Sequence, residues 1–286
     1  MPLFELLEKI REAGFNAVAF GHRLSHFPYF DKKTVSATAN YCAKLDLTVD
    51  YVHAPIDISL DLSSPNEHVL SATVSTYKFT IDAAKELGAR AVTAHLSNID
   101  SLTAEEIRER ASTAQKPILE LTDYGRKKGI FFCLENMPYP YAYQRLLESA
   151  LESILSSSNA EEVNLCIDTC HISIHNPDPF RFIESFAPYF KTTHLSDNFG
   201  ARDIHLPPYA GNFDFDRLAE ILAKSGYDGN VMLENSYEAA VGRFSKGINS
   251  PEEPKPTTLE DYLLVSVKAA ERFRKKLLSA RKALAS

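Results

Sequence analysis

Cysteine is scarce in this sequence, and no apolar run is long. The four cysteines (Cys42, Cys133, Cys166 and Cys170) are spaced neither as a disulfide framework nor as paired Cys-x-x-Cys zinc motifs. No segment approaches the roughly 18 consecutive apolar residues that a membrane-spanning helix needs. The first residues, MPLFELLEKIREAG, interleave charged and apolar side chains and therefore lack the pattern of a signal peptide. These absences predict a soluble protein of a reducing, cytoplasmic compartment.

Positive charge is also in short supply. Lysine and arginine number 31 against 38 aspartates and glutamates, and the net charge of -7 weakens a nucleic-acid-binding interpretation without excluding a local basic groove. Hydrophobic residues at 44% and charged residues at 24% are typical of a globular protein with a large core. A length of 286 residues suits one (β/α) barrel, so we predict a single domain over residues 1–286.

A helix, a glycine and a continuously apolar strand recur along the chain, for example in AKELGARAVTAHLS and GRKKGIFFCLEN. Glycine after a helix supplies a left-handed C-terminal cap, and a continuously apolar strand is typical of a parallel sheet covered by helices. The pattern predicts an α/β fold built as a (β/α) barrel. The predicted strands are 16–20, 48–53, 91–95, 130–135, 164–168, 191–194 and 230–234. The predicted helices are 3–13, 32–44, 67–87, 104–128, 141–156, 179–186, 214–225 and 259–283.

Two parts of the chain do not follow the simple repeat. The first helix starts almost at Met1, so the strand that would open an eight-stranded barrel is not visible. Either the barrel has seven strands, or a nonstandard segment or a neighbouring chain covers the gap. Residues 236–256 contain glycine, serine and three prolines and are predicted to form a long loop before the C-terminal helix.

Nine histidine and carboxylate side chains lie at or just after the ends of the predicted strands. The carboxyl ends of barrel strands converge at one mouth, so these side chains are expected to meet there. Neutral imidazole nitrogen and carboxylate oxygen suit Zn²⁺, Mn²⁺ and similar divalent ions. A polynuclear metal site is the leading interpretation, although each histidine alone would more often be a core or loop residue. The nine residues are His53, His95, Glu135, Asp168, His171, His194, Asp203, His205 and Glu234.

Three short motifs carry much of this interpretation. LCIDTCH delivers Asp168 from a buried strand and His171 three residues later, although a cap of the next helix is an alternative role for Asp168. CLENM and MLENS place Glu135 and Glu234 at two strand ends, where a buried carboxylate is costly unless a cation or hydrogen bonds compensate it. A shared metal would supply that compensation and leave an acid/base pair, whereas two unrelated ion pairs are the alternative.

The loop that follows His194 adds further candidates. Asp203 and His205 are two residues apart, so in an extended segment their side chains project to the same side, as a joint ligand pair requires. Arg202 is a candidate for holding a phosphate or a substrate hydroxyl, with a solvated arginine as the alternative. Two more candidates for substrate contact follow other strand ends, namely His22 and Asn136.

With these motifs the sequence resembles the xylose isomerase-like TIM-barrel superfamily, which includes sugar isomerases and epimerases and the endonuclease IV family of apurinic-site nucleases. The resemblance extends from Gly14 to about Asn235. It implies that four residues share one metal: Glu135, Asp168, His194 and Glu234. In an epimerase His171 would contact the substrate. In the endonuclease the other residues would hold two further zinc ions, one on His171, Asp203 and His205 and one on His53 and His95.

Two motifs favour the isomerase and epimerase branch. LENMPYPY lacks the glycine-rich Glu-x-Met-Ala-Gly form of the endonucleases, and DIHLPPYAGNFDF lacks their Asp-Arg-His form with its glycine-rich turn. A DNA enzyme also needs basic residues and aromatic wedges on its loops. The loop 22–30 has aromatic residues but only Arg23 as a firm positive charge.

We therefore predict a metal-dependent sugar or sugar phosphate isomerase/epimerase that moves a proton next to a carbonyl. Glu135 and Glu234 would be ligands and acid/base groups, His171 would polarise the substrate, and the cofactor would be one to three Zn²⁺ or Mn²⁺ ions. One alternative is an endonuclease IV-type phosphodiesterase, for which alone nucleic acid would be the substrate. Another is a metal-stabilised barrel that binds a sugar or a protein partner without turnover. No membrane partner is expected, and a homo-oligomer is compatible with the sequence.

Overall fold

Six parallel strands form one sheet in the computed structural model, which describes residues 1–21, 23, 27–138, 141–156, 163–240, 256 and 258–285. Neighbouring strands pair in chain order, as successive βα units with right-handed crossovers do. All six strands were predicted to within one residue at either end. They are β1 (Ala17–Phe20), β2 (Thr48–His53), β3 (Ala91–Ala94), β4 (Phe131–Glu135), β5 (Leu165–Asp168) and β6 (Phe190–His194).

The eight predicted helices are present, and the described residues add two short ones, α6 and α9. The helices are α1 (Leu3–Glu12), α2 (Lys32–Lys44), α3 (Glu67–Leu87), α4 (Ala104–Lys128), α5 (Ala142–Leu155), α6 (Thr169–Ser173), α7 (Pro179–Phe186), α8 (Phe215–Lys224), α9 (Tyr237–Ala240) and α10 (Leu259–Ala285). Thr103 and Glu106 form a capping box at the start of α4, and Gly88 and Gly129 end α3 and α4 with φ of 72° and 74°. No helix in the described part is long and apolar enough to cross a membrane.

The seventh predicted strand, 230–234, is not a regular strand. It forms a single parallel bridge, between Leu195 and Leu233. A side chain replaces part of the backbone ladder, because the Thr193 hydroxyl donates to the carbonyl of Met232 (3.1 Å) and accepts from its N–H (3.0 Å). The segment still runs parallel to the continuation of β6 and therefore reaches the same end of the sheet.

The fold is an incomplete (β/α) barrel. A strand before α1 is absent from the described residues, in agreement with the sequence. A polar link crosses the interior, where Asp50 accepts hydrogen bonds from Thr192 (2.8 Å) and Asn230 (2.7 Å) and so ties β2 to β6 and to the segment beyond it. A small apolar cluster also lies in the interior: Tyr51, Ala91, Cys133, Cys166 and Met232.

The chain after the last barrel segment differs in part from its prediction. Residues 236–256 were predicted to form a loop, but α9 occupies Tyr237–Ala240. Residues 241–255 lie outside the described residues. Beyond them α10 begins at Leu259, as predicted, and packs against α8.

Candidate metal centre and active site

Four of the predicted ligands meet at the carboxyl end of the sheet. Glu135, Asp168 and His194 are the last residues of β4, β5 and β6, and Glu234 closes the segment beside β6. Parallel pairing sets Asp168 opposite His194. One ligand atom from each of the four lies within 4.8 Å of the others. We call these four residues the inner quartet.

The geometry of the inner quartet centres on one imidazole nitrogen. Nδ1 of His194 lies 3.0 Å from Oε1 of Glu135, 3.0 Å from Oε2 of Glu234 and 3.9 Å from Oδ2 of Asp168. Glu135, Asp168 and His194 are at most 1% exposed. Oδ2 of Asp168 and Oε2 of Glu234 are buried without a hydrogen bond in the described part. Because buried carboxylate oxygens need compensation, this donor set fits a divalent cation.

The charges of the protein alone show what such a cation would replace. Burial raises the pKa of Asp168 to about 8, and the neighbouring glutamates act in the same direction. Burial would also raise the pKa of Glu135, but His194, His171 and His53 outweigh it and hold that pKa well below its usual range. Burial lowers the pKa of His194, yet nearby anionic groups raise it well above its ordinary value. Protonated histidines thus supply the positive charge that a metal ion would supply when bound.

Two outer groups adjoin the inner quartet. In the first, Nε2 of His53 and of His95 lie 3.0 and 3.5 Å from Oε2 of Glu135. In the second, Nε2 of His205 and of His171 lie 3.0 and 3.5 Å from the two carboxylate oxygens of Asp203. The second group also joins the quartet, since ligand atoms of Asp168, His171 and His205 lie within 4.8 Å of one another. The structure therefore brings all nine predicted residues into one cluster.

Hydrogen bonds orient the outer histidines as metal ligands are oriented. Nδ1 of His53 donates to the carbonyl of Ala54 (2.7 Å), and Nδ1 of His205 donates to the carbonyl of Glu234 (2.8 Å). Nδ1 of His171 donates to the backbone carbonyl of Asn136 (3.1 Å). Because a carbonyl oxygen only accepts, Nδ1 carries a proton in each of these rings, and Nε2 points toward the carboxylates, where it would offer its lone pair to a cation that replaced a second proton.

Asn98 does the same for His95 and escaped the sequence analysis. Its Oδ1 lies 2.6 Å from Nδ1 of His95, and its Nδ2 donates to the carbonyl of Asp57 (3.1 Å), which fixes the amide with its oxygen toward the ring. The spacing of three residues after His95 was the available signal. An asparagine in a loop is too common for that spacing to identify it.

The sequence left two roles open for Asp168, a helix cap and a metal ligand, and the position of its carboxylate is compatible with both. Its Oδ1 accepts from the backbone N–H of His171 (2.8 Å) and so caps α6. Its Oδ2 faces the quartet. The cap turns the chain sharply after β5, which places the His171 ring beside Glu135 at 3.3 Å.

The loop that carries Asp203 and His205 is held by Asp197. The buried carboxylate of Asp197 accepts backbone N–H groups of Asn198 (2.8 Å), Gly211 (2.8 Å) and Phe213 (3.1 Å). Gly211 is required here, since a Cβ on it would lie 2.2 Å from the carbonyl oxygen of Asn198. The loop is thereby fixed over the end of β6.

A cavity of about 530 Å³ opens beside the outer group that contains Asp203. Of the nine clustered residues, only Asp203 lines it. Arg202, a predicted substrate contact, also lines it, and the rings of Tyr141 and Tyr143 stack at 5.4 Å along its wall. His175 is exposed, lines the cavity and has a positive φ of 48°. These features make the cavity the candidate substrate pocket.

The other two predicted substrate contacts have different outcomes. His22 lies outside the described residues. Asn136 is 1% exposed, and its amide hydrogen-bonds the backbone of Asp168. A residue that the sequence analysis did not single out, Tyr51, lies against the ring of His194 with centroids 4.7 Å apart.

Comparisons with known proteins agree with this architecture. A family model described as a xylose isomerase-like TIM barrel matches residues 7–258. Protein MJ1311 of Methanocaldococcus jannaschii, which is uncharacterized, is 26% identical over 269 residues, 93% of this chain and 87% of that protein. A solved structure of a D-tagatose 3-epimerase-like protein is 25% identical with a TM-score of 0.76 and covers 99% of this chain and 96% of its own. An L-ribulose 3-epimerase structure is 20% identical, with a TM-score of 0.69 and coverage of 99% and 91%.

Proposed function

Because the chain belongs to the xylose isomerase-like TIM-barrel family, we propose that it is a divalent-metal-dependent isomerase or epimerase of a small sugar or sugar phosphate. The observation that carries the proposal is the approach of Glu135 and Glu234 to one nitrogen of His194, each at 3.0 Å. Glu135 and Glu234 would serve as an acid/base pair, and a cation held by the inner quartet would supply a Lewis acid. The epimerases among the structural neighbours support the same reaction class.

The reaction would move a proton on a carbon next to a carbonyl. Bound at the inner quartet, a divalent cation would supply Lewis-acid stabilisation to the oxygens beside the reacting carbon. Glu135 and Glu234 are both held ionised by His194, as a base must be. One carboxylate takes the proton as the C–H bond breaks, and the electron pair of that bond moves toward the carbonyl oxygen. The other carboxylate, after taking up a proton from solvent, returns one to carbon from its own side.

Neighbouring groups would bind and orient the substrate. His171 lies between Glu135 and the cavity-lining Asp203, 3.3 Å from the first and 3.5 Å from the second. It can therefore donate a hydrogen bond to an oxygen of a substrate that reaches from the cavity to the quartet. A cavity of about 530 Å³ lies in the usual range for small-molecule sites. Arg202 would contact the end of the substrate that stays in the cavity.

The test is exchange of substrate hydrogen with solvent. The Mn²⁺- or Zn²⁺-loaded protein would be incubated in D₂O with ketopentoses, ketohexoses and their phosphates, and deuterium at carbons next to the carbonyl would be read by NMR. Glu135→Gln and Glu234→Gln should reduce exchange by about 10²-fold to 10⁴-fold, the size of a lost general acid or base. Glu238→Gln, an exposed glutamate on α9, is the matched control. Unchanged exchange in both site variants would overturn the proposal.

A second candidate function is hydrolysis of a phosphodiester by up to three metal ions. The orientation of His53, His95 and His205 favours it, because the proposed sugar proton transfer uses only His171 among the four outer histidines. Against it, the cavity is lined by Asp100 and Asp203, which repel the phosphates that Arg202 would attract. Close to three zinc ions per chain together with cleavage of an abasic-site duplex would establish this reaction. One ion without cleavage would favour the isomerase or epimerase, and sugar binding without exchange would indicate a binding protein.

A further inference from the structure

The two Leu-Glu-Asn motifs are alike in sequence but differ in what their asparagines contact. Nδ2 of Asn136 donates to the backbone carbonyl of Asp168 (2.9 Å), and its Oδ1 accepts from the backbone N–H of the same residue (2.7 Å). Asn235, in the second motif, donates to the hydroxyl of Ser266 (3.1 Å) on α10. Its Oδ1 has no hydrogen-bond partner among the described residues. Of the two asparagines, only Asn136 therefore holds the backbone of a residue of the inner quartet with its side chain.

The Asn136 amide continues the sheet beyond its last backbone pair. Regular pairing of β4 with β5 stops at Glu135 and Cys166, while β5 continues to Asp168. A primary amide offers the same donor and acceptor as a peptide group, so one side chain satisfies both backbone groups of Asp168 where continued backbone pairing would have done so. Asp168 is fully buried, and no water would take over these bonds without entering the core.

The same asparagine also orients a neighbour of the quartet. Its backbone carbonyl accepts from Nδ1 of His171 (3.1 Å), and the backbone N–H of His171 donates to Oδ1 of Asp168 (2.8 Å). Asn136, Asp168 and His171 thus form a closed set of hydrogen bonds. Loss of the Asn136 side chain would release the backbone of Asp168 and, through the cap of α6, the ring of His171.

We propose that Asn136 is a positioning residue, whose side-chain amide holds Asp168 against Glu135 so that the inner quartet is formed before a metal ion binds. This inference rests on the proposed metal site. It gives Asn136 a role without substrate contact, in agreement with its 1% exposure. It also explains why the residue after Glu135 is an asparagine, whereas the sequence alone suggested a substrate ligand.

The experiment compares Asn136→Ala with Asn235→Ala. In the metal-free protein, prepared with a chelator, NMR hydrogen exchange at the Asp168 amide should accelerate at least about tenfold in Asn136→Ala and not in Asn235→Ala. Only the first variant loses an acceptor for that amide. Co²⁺ affinity should fall by about 10-fold to 100-fold in Asn136→Ala, with an altered visible absorption spectrum, and stay within about twofold of wild type in Asn235→Ala. The spectrum reports ligand geometry, which a merely structural destabilisation would not change.

The outcomes separate this inference from the proposed function. A folded Asn136→Ala with wild-type Co²⁺ affinity and spectrum would overturn the positioning role alone. Failure of the wild type to bind Co²⁺ would overturn the proposed metal chemistry, while the exchange comparison would still decide whether the amide holds Asp168. If Asn136→Ala does not fold, Asn136→Asp keeps the acceptor and removes the donor. It should keep the Asp168 amide protected and still change the Co²⁺ spectrum, and an unchanged spectrum would contradict the role.

Discussion

Oε1 of Glu135 and Oε2 of Glu234 share one neighbour, Nδ1 of His194, at 3.0 Å each. The two carboxylates arrive from different βα units, and parallel strand order is what brings them together. Two anions this close repel each other unless a positive charge lies between them. We therefore expect this arrangement to bind a divalent cation, and the free energy of that binding can be measured.

Addition of a divalent metal should stabilise the metal-free protein. At a free metal concentration of about 100 times Kd, binding to the folded state alone adds about 2.7 kcal/mol to the free energy of unfolding. Differential scanning calorimetry with Zn²⁺ or Mn²⁺ should show a matching rise in Tm. Glu234→Gln should lose most of this rise, whereas Glu238→Gln should retain it. Equal loss in both variants, or no rise in the wild type, would contradict a metal site at the inner quartet.

Replacement of Glu135 should remove more bound metal than replacement of Glu234. Its Oε1 faces the inner quartet and its Oε2 faces His53 and His95, whereas Glu234 approaches the quartet and lies 3.9 Å from His205. Elemental analysis should give Glu135→Gln the lowest metal content of any single-site variant. His53→Asn should retain the inner metal and sugar exchange. If His53→Asn abolishes sugar exchange while its inner metal stays bound, the quartet alone is not the reaction centre.

Strand positions could be predicted because they depend on local patterns. The strands that end in Glu135 and Asp168 are apolar runs that are buried apart from Phe131, and such runs are visible in the sequence itself. The convergence of the nine side chains followed from the (β/α) pattern, which places all strand ends at one mouth. The clustering of these nine positions was therefore predictable from the sequence.

Other features depend on contacts that a sequence does not display. The segment 230–234 fails to form a regular strand because the Thr193 hydroxyl takes part of the pairing. Helix α6 starts immediately at the end of β5, without the loop that a propensity argument would expect, because Asp168 caps it. The roles of Asn98 and Asn136 need the position of His95 and of the Asp168 backbone, which only the fold provides.

The metal-free protein should lose stability as the pH rises above neutrality. Burial lowers the pKa of His205, but its hydrogen bond to Asp203 and the charges of Asp168 and Glu234 outweigh burial and raise that pKa to about 9. The folded state thus binds more protons than the unfolded state between the ordinary value of 6.5 and about 9. Its stabilisation is complete below the lower pKa and is lost as the pH passes the higher one.

Urea unfolding with a chelator at about pH 6, 7.5 and 9 measures this loss directly. His205→Gln should give a shallower decline, because one of the titrating groups is removed. The metal-loaded protein should also decline less, since the cation replaces protons on the histidines. If the free energy of unfolding of the metal-free wild type stays constant or rises over this range, the histidines are not held protonated by the carboxylates.

Arg202 should govern substrate binding and leave the metal untouched. It lines the cavity, and a charged hydrogen bond to substrate is worth about 1.5–3 kcal/mol, so Arg202→Ala should raise KM by about 10-fold to 150-fold with little change in kcat. Arg181→Ala is the control, because that exposed arginine lies along a different cavity. If the substrate is phosphorylated, the KM effect should be larger for the sugar phosphate than for the free sugar. An equal effect on both would place Arg202 at a hydroxyl, and a fall in kcat with unchanged KM would contradict a binding role.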